Sequence, residues 1–405
     1  MTMSRARGLA VLITAALAAA CDRPPANAVT RCQSNIQTGA VATDVLFVVD
    51  DSGSMAEEQQ NVHDNLALFA DRVANSPIPN DVQVAVTTTS VSDFDPTVLS
   101  YPQTAGGPYY GLGYAVPYPA GTLVAVARDP ATGAPINGRL DFDPAKRAFV
   151  GNRILRLGPA TLAEFQANVL VGTVGTGKEQ HFRAARLALT SPLVDGPNAT
   201  FLRPGARLAI VFVTDEDDCS ESSGDTVTTN DLCHASAVKT GTALDSVQGF
   251  ADFLDGALAG EERQPIVGVI AAIGQGASGA YAGQSCATSY DTADRFATLL
   301  NLLPADRRYA ASICDASFAT ALQAIGDLVI PQTLPISGET DWRMLAVTVT
   351  KPDGTVRSCA VGDAPGSGVD VVYASGSPST LSFQAGGACR LGAADRVDVR
   401  IVCAG

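Results

Sequence analysis

TDVLFVVDDSGSM, residues 43–55, is the stretch on which the fold of this chain turns. Five apolar residues, Val45 to Val49, run without a break and stop at a carboxylate. An unbroken apolar run of that length suits a strand covered on both faces, as in a parallel sheet. Asp50, Ser52 and Ser54 then follow at i, i+2 and i+4, and Gly53 lets the backbone turn between the two hydroxyls. Three hard oxygen donors on one tight loop suit Mg²⁺. In open α/β sheets, loops at the carboxyl ends of strands are where ligands bind. Taken alone, a Ser-Gly-Ser after a strand is a turn whose hydroxyls cap the next helix.

Two other stretches supply context. Residues 208–214, LAIVFVT, form a second buried-strand signal that ends at Asp215. Residues 172–180, GTVGTGKEQ, form a Gly/Thr loop feeding a helix that starts near His181. Together the three loops resemble the metal-ion-dependent adhesion site (MIDAS) of von Willebrand factor type A (VWA) domains. Asp50, Ser52 and Ser54 match that family's D-x-S-x-S, and Asp215 matches its last aspartate. Thr173 and Thr176 compete for its single threonine, and Thr176 fits the spacing to the following helix better. Where the family often has Asp-Gly, this chain has Asp215-Glu216-Asp217-Asp218, read here as a more acidic, solvated rim. TDEDDCS with GTGKEQ upstream also resembles a subgroup of bacterial VWA lipoproteins.

The resemblance covers residues 41–332. It implies an α/β fold with a doubly wound, mostly parallel, Rossmann-like sheet. It implies Mg²⁺, or Mn²⁺ or Ca²⁺ in its place, with Ser52, Ser54 and Thr176 as direct ligands. Asp50 and Asp215 would supply charge and orient waters. One coordination position would stay open for an Asp or Glu carboxylate of a protein or matrix partner.

Residues 1–20 read as an export signal: Arg5 and Arg7, an apolar run from Leu9 to Leu17, then Ala18, Ala19 and Ala20 before Cys21. The pattern resembles a bacterial lipoprotein signal, which implies lipidation at Cys21 and a place in the cell envelope, periplasmic or outer-surface. Ordinary secretion with cleavage at or after Ala20 is the plainer alternative. Residues 21–40 read as a tether. No later segment approaches eighteen apolar residues, so lipid is the only membrane anchor expected.

Setting Cys21 aside leaves eight of the nine cysteines, an even number suited to an oxidising compartment. Local spacing favours Cys219 with Cys233, Cys286 with Cys314 and Cys389 with Cys403, leaving Cys32 and Cys359 as a long-range staple. A zinc site is not indicated, because there is no C-x-x-C and His234 has no partner pair. Without Arg5 and Arg7, 25 basic residues face 41 acidic ones, a formal charge of −16. That balance argues against nucleic acid and anionic headgroups as partners.

The expected elements alternate up to residue 332, with strands near 44–50, 82–89, 207–214, 265–273 and 309–313. Helices are expected near 55–74, 160–169, 178–190, 243–258, 292–302 and 316–329. Residues 92–158, rich in Pro, Gly and Tyr, read as a loop-rich insertion. Its tyrosines, Tyr101, Tyr109, Tyr110, Tyr114 and Tyr118, suit either a sugar or peptide platform or a loop packed on its own aromatics, and the latter is favoured. Residues 330–337 read as a Pro-punctuated linker, and 338–405 as a small, disulfide-stapled all-β module.

The function expected is that of a non-enzymatic binding protein. An aspartyl phosphotransferase pattern fails because position 52 is Ser. A hydrolase triad would have to draw on His63, His181 or His234, and no G-x-S-x-G occurs. The alternatives are a structural envelope lipoprotein whose metal only stabilises the fold, and a metal-dependent hydrolase.

Overall fold

The structure, a computed structural model, describes residues 31–32, 41–92, 100–101, 115–221, 230–258, 261–336, 341–384 and 386–402. The signal segment, Cys21, most of the tether, Tyr109, Tyr110, Tyr114 and Cys403 lie outside them.

β1 (Val41–Val49) carries the apolar run, and Val45 to Val49 are fully buried. α1 (Ala56–Ala74) follows, with Glu57 and Glu58 in its first turn, where the helix dipole favours acids. Its Val62, Leu66, Phe69 and Val73 recur at helical spacing and face the core. β2 (Asn80–Thr88) and β3 (Ile154–Arg156) come next, then α2 (Leu162–Asn168), α3 (His181–Ala188) and β4 (Arg207–Val213). The chain continues through α4 (Val247–Asp255), β5 (Ile266–Ala271), α5 (Asp294–Leu302), β6 (Arg308–Ser312) and α6 (Ala319–Val329). The six strands form one sheet in the order β3-β2-β1-β4-β5-β6, parallel except at the β3 edge. Phe47 of β1 meets Phe69 and Phe165 edge-on at 5.8 and 5.2 Å. α6 presses closely on α1 at Gly326, where a Cβ would lie 2.8 Å from Arg72 Cβ.

A doubly wound, mostly parallel architecture does not describe this chain. Among the described residues there are eight sheets, and only the six-stranded one is mostly parallel. The other seven have two to four strands and pair antiparallel, apart from one two-residue parallel contact. Helix accounts for 23% of residues and strand for 30%, so the molecule is a mixed α/β protein with many small sheets. The reason is local. Antiparallel hairpins need only a short turn, whereas each parallel pair needs a long crossover. The Gly- and Pro-punctuated stretches around 92–158 and beyond 330 supply mostly short turns.

The insertion does more than loop outward. It contributes β3, and its Leu123, Val124, Leu140 and Phe149 are buried in the main core. Tyr101 and Tyr118 are buried and meet edge-on at 5.3 Å, as expected of a loop packed on its own aromatics.

The stretch read as a linker contains a strand, β7 (Thr333–Ile336). β8 (Leu345–Thr350), β9 (Val356–Cys359), β10 (Val361–Gly362), β11 (Val371–Ala374), β12 (Ser379–Phe383) and β13 (Arg396–Val402) follow. They build two four-stranded sheets: a two-residue strand at Arg31–Cys32 with β13-β8-β9, and β7-β12-β11-β10. Leu334, Val347, Val349, Val371, Leu381 and Phe383 form a second core, joined by Ile78 from the turn before β2.

Cys219–Cys233 and Cys286–Cys314 are disulfides, as local spacing suggests. Cys389 pairs with Cys359, not with Cys403. The sheet holding β9 faces the sheet holding β12, which brings Cys359 within 5.9 Å of Cys389 between Cα atoms. Sequence spacing carries no information about such stacking. Cys32 therefore has no staple to Cys359; its backbone pairs with Ile401.

Candidate functional site

The carboxyl ends of β1, β2 and β4 meet at one edge of the six-stranded sheet. The Asp50 N–H donates to Val213 O at 3.0 Å, the last rung between β1 and β4. Beyond it, Asp50 Oδ1 accepts the Ser52 N–H at 2.8 Å, the Asx turn that reverses the chain. Asp50 Oδ2 accepts from Thr214 Oγ1 at 2.7 Å. Gln59 of α1 donates to Asp50 O at 2.8 Å and to Gly172 O at 2.7 Å, and accepts the Gly172 N–H at 3.0 Å. One side chain thus ties α1, the β1 loop and the 172–180 loop together.

Ser52 Oγ lies 3.2 Å from Ser54 Oγ, and Ser54 Oγ donates to Asp215 Oδ1 at 3.1 Å. Asp50, Ser52 and Asp215 are buried, whereas Gly53 and Ser54 are exposed. The cluster therefore opens to solvent at the Gly53–Ser54 turn. Thr176 is buried and reaches the same edge by an indirect route. Its N–H donates to Ser90 Oγ at 2.9 Å, and the preceding Gly175 N–H donates to Asp51 O at 2.8 Å. Its own Oγ1 accepts the Lys178 N–H at 3.1 Å. Gly175 is required here: a Cβ would stand 2.4 Å from the Asp51 carboxylate and 2.5 Å from Ser90 Oγ. Thr173, the competing threonine, lies at the partly exposed start of the loop. The structure therefore links Asp50, Ser52, Ser54 and Asp215 directly and joins Thr176 through Asp51 and Ser90.

Several residues of this cluster escaped the sequence reading. Asp51 is fully buried. It accepts from Ser90 Oγ at 2.8 Å, from Thr89 Oγ1 at 3.2 Å and from the Tyr101 hydroxyl. Glu179 is fully buried and accepts from Thr89 Oγ1. Their sequence signal was the polar run Thr87-Thr88-Thr89-Ser90, placed where the apolar strand β2 ends. Burial drives these acids towards their neutral forms. The Asp50 carboxyl is held well above the usual range by burial, then by Glu216 and Asp215. Asp215 is pushed up to about 7 by burial and by Glu216. Glu179 is raised well above its ordinary value by burial, with Asp50, Glu216 and Asp51 adding to it.

The acidic run after Asp215 is not a solvated rim. Glu216, Asp217 and Asp218 are buried, and each has a structural partner. Asp217 accepts the Asp294 and Arg295 N–H groups at the start of α5, both at 3.1 Å, and pairs with Lys239 at 3.2 Å. Asp218 accepts the Phe182 N–H at the start of α3 at 2.9 Å and pairs with Arg295 at 3.0 Å. Glu216 meets His234 Nε2 at 3.0 Å, and His234 Nδ1 meets Asp291 at 2.7 Å. With a carboxylate at each ring nitrogen, His234 is an imidazolium. Burial opposes that charge, but Asp291 and Glu216 outweigh it and raise His234 to about 9. The Cys219–Cys233 disulfide carries His234 to this place, and its only sequence signal was adjacency to Cys233. Both sulfurs of the Cys219, Cys233 and His234 group are in the disulfide, so the group offers no thiolate to a metal. The other histidines lie apart. His63 is on α1 beside Asp64, and His181 is buried against Phe212 and Phe296, with burial lowering it to about 3.

No family model and no curated protein matches the chain. Among solved structures, the chain is similar to proximal thread matrix protein 1 from the mussel byssus, at 10% identity and a TM-score of 0.33. That alignment covers 73% of this chain and 50% of the other. The pilus adhesin SpaC from Lactobacillus rhamnosus GG aligns over 91% of this chain and 40% of its own, at 13% identity and a TM-score of 0.36. Human COPII-coat protein Sec24c aligns over 89% and 39%, at 9% identity and a TM-score of 0.32. The chain thus spans half or less of the length of each.

Proposed function

We propose that this chain is an exported binding protein of the bacterial cell envelope, anchored through Cys21. It captures an acidic partner at a divalent cation held by Asp50, Ser52, Ser54, Thr176 and Asp215. The observation that carries this reading is the chain from Ser52 Oγ to Ser54 Oγ to Asp215 Oδ1, which gathers hydroxyl and carboxylate oxygens and reaches solvent at Ser54. That donor set of hydroxyl and carboxylate oxygens fits Mg²⁺, Mn²⁺ or Ca²⁺. Three disulfides support export to an oxidising compartment. These donor types are the ones that the resemblance to VWA domains implies.

When bound, the cation supplies a Lewis-acidic position for an outside carboxylate oxygen. The chain's residues do the rest. The Ser52 N–H and Thr214 hydroxyl fix both oxygens of Asp50, which would orient the carboxylate towards a bound cation. Ser54, exposed at the mouth, presents its hydroxyl there. Thr176 arrives on a separate loop, docked by Ser90 and Asp51, so its hydroxyl can respond to an incoming ligand without loosening the serines.

Calorimetry with Mg²⁺, together with binding to immobilised Asp- or Glu-bearing peptides and their Asn or Gln counterparts, tests this. Cation saturation should stabilise the fold by about 2.7 kcal/mol at a hundred times Kd. Ser52→Ala and Asp215→Ala should abolish most of that gain. Thr176→Ala should weaken peptide capture more than cation binding. Equal capture in Mg²⁺ and in chelator, or of acid and amide peptides alike, would refute the mechanism and leave a cation that only stabilises the fold.

A further inference from the structure

Thr89 Oγ1 stands between two buried carboxylates, 3.2 Å from Asp51 Oδ1 and in hydrogen-bond contact with Glu179 Oε2. A hydroxyl has one hydrogen and can serve only one of them. Asp51 has other donors in Ser90 and Tyr101. Glu179 has none: its Oε1 is buried without a hydrogen-bond partner. The nearby cations are engaged elsewhere. Lys178 pairs with Glu221 at 2.9 Å, Lys239 with Asp217 and Asp291, Arg295 with Asp218, and His234 with Glu216 and Asp291. Among the described residues no Lys or Arg pairs with Asp50, Asp51, Asp215 or Glu179.

A buried carboxylate with an unmet oxygen costs several kcal/mol, so Glu179 keeps its charge only where positive charge comes to it, and among the described residues no Lys or Arg supplies it. The donors around Glu179 are carboxylate and hydroxyl oxygens, the set that hard divalent cations take. Charge decides the number of ions. With cations bound and their protons displaced, Asp50, Asp51, Asp215 and Glu179 carry four negative charges, while Glu216 is matched by His234. One divalent cation would leave two negative charges buried behind the mouth, which would oppose an acidic partner. Two would leave the site neutral.

We propose that Glu179, with Asp51 and Thr89, holds a second divalent cation on the inner side of the Ser52–Ser54–Asp215 site. This rests on the function proposed above and explains how so acidic a site could receive a carboxylate.

The test is cation stoichiometry by equilibrium dialysis and elemental analysis. It uses the full, oxidised chain, stripped with chelator and reloaded with Ca²⁺ or Mg²⁺ in separate arms. Two ions per chain are expected in at least one arm, falling to one in Glu179→Gln, with the peptide capture described above lost or reduced at least tenfold. Thr89→Val should weaken the second ion at least tenfold, and it carries the comparison if Glu179→Gln fails to fold. One ion in the parent chain in both arms would overturn the inner site and leave the outer one standing. No ion at all would overturn both. Two ions retained in Glu179→Gln would overturn the assignment to Glu179.

Discussion

On one side of Asp215 lie Glu216, Asp217 and Asp218; on the other lie Asp50, Asp51 and Glu179. All six are buried. The first three are met by His234, Lys239 and Arg295 and by the N–H groups that open α3 and α5. The second three are met by hydroxyls and backbone N–H groups, and by no Lys or Arg among the described residues. The same strand shows the contrast again. Asp44, near the start of β1, is bound by Arg203 at 2.7 Å, whereas Asp50, just past its end, has no such partner. Where the chain supplies the counter-charge, the carboxylate serves as structure. Where it supplies only hydroxyls and backbone N–H groups, the carboxylate has no protein counter-charge among the described residues, which is the ground for the cations proposed above.

The sharpest way to break this comparison is to remove a carboxylate from the structural side. Asp218→Ala leaves Arg295 buried without its partner and strips the N–H at the start of α3. Breaking one half of a buried pair costs about 3–5 kcal/mol. Urea unfolding should show that loss with and without added cation. A loss under 1 kcal/mol would mean that this side, too, is held from outside.

Next in size is the tether on His234. Replacing Cys219 and Cys233 together by Ser opens a loop closed at a sequence separation of 14. The cost should be roughly 3 kcal/mol by chain entropy. Loss of the His234–Glu216 contact would add to it, read as disappearance of the imidazolium signals by NMR. An unchanged His234 spectrum would show that the disulfide does not position it.

Third is the pH profile. His234 sits at about 9 in the fold against an ordinary 6.5, so its charged form stabilises the protein. That contribution is fully present below pH 6.5 and is lost as pH rises through about 9. The stability gap between the parent and His234→Gln should therefore narrow by roughly 3 kcal/mol over that window. A gap that stays constant would mean that His234 is not an ion-pair partner of Glu216 and Asp291.

Much of this was written in the sequence, and the parts that were not share a cause. β1 and β4 were legible because five or six consecutive apolar residues have few other uses. Asp50, Ser52, Ser54 and Asp215 were legible because they follow those strands directly. Glu216, Asp217 and Asp218 were misread because a run of acids is usually solvated, and their partners Lys239, His234 and Arg295 lie 18 to 77 residues away in sequence. Cys359–Cys389 was missed for the same reason, since it joins the end of β9 to the turn that follows β12. The overall architecture was misread because attention fell on the parallel strands, while the short hairpins of the insertion and of the C-terminal sheets outnumber them.

The smallest expected effect is the most discriminating. Glu179→Gln keeps the shape of a fully buried side chain and removes its charge. On the structural side, losing a carboxylate strands a cation; here there is no protein cation to strand. In chelator the substitution should therefore change stability by less than about 1 kcal/mol, or raise it, because an unpaired buried charge is itself unfavourable. The burial that raises Glu179 well above its ordinary value acts in the same direction. Folding stability contributed by a raised carboxyl is present below its unfolded value and lost as pH rises, so any gain from Gln should be largest at alkaline pH. In saturating Ca²⁺ or Mg²⁺ the order should reverse, with the parent chain more stable than the variant. Paired thermal melts in chelator and in cation measure both arms. If Glu179→Gln in chelator costs as much as Asp218→Ala, Glu179 belongs with the paired carboxylates and the division between the two sides fails.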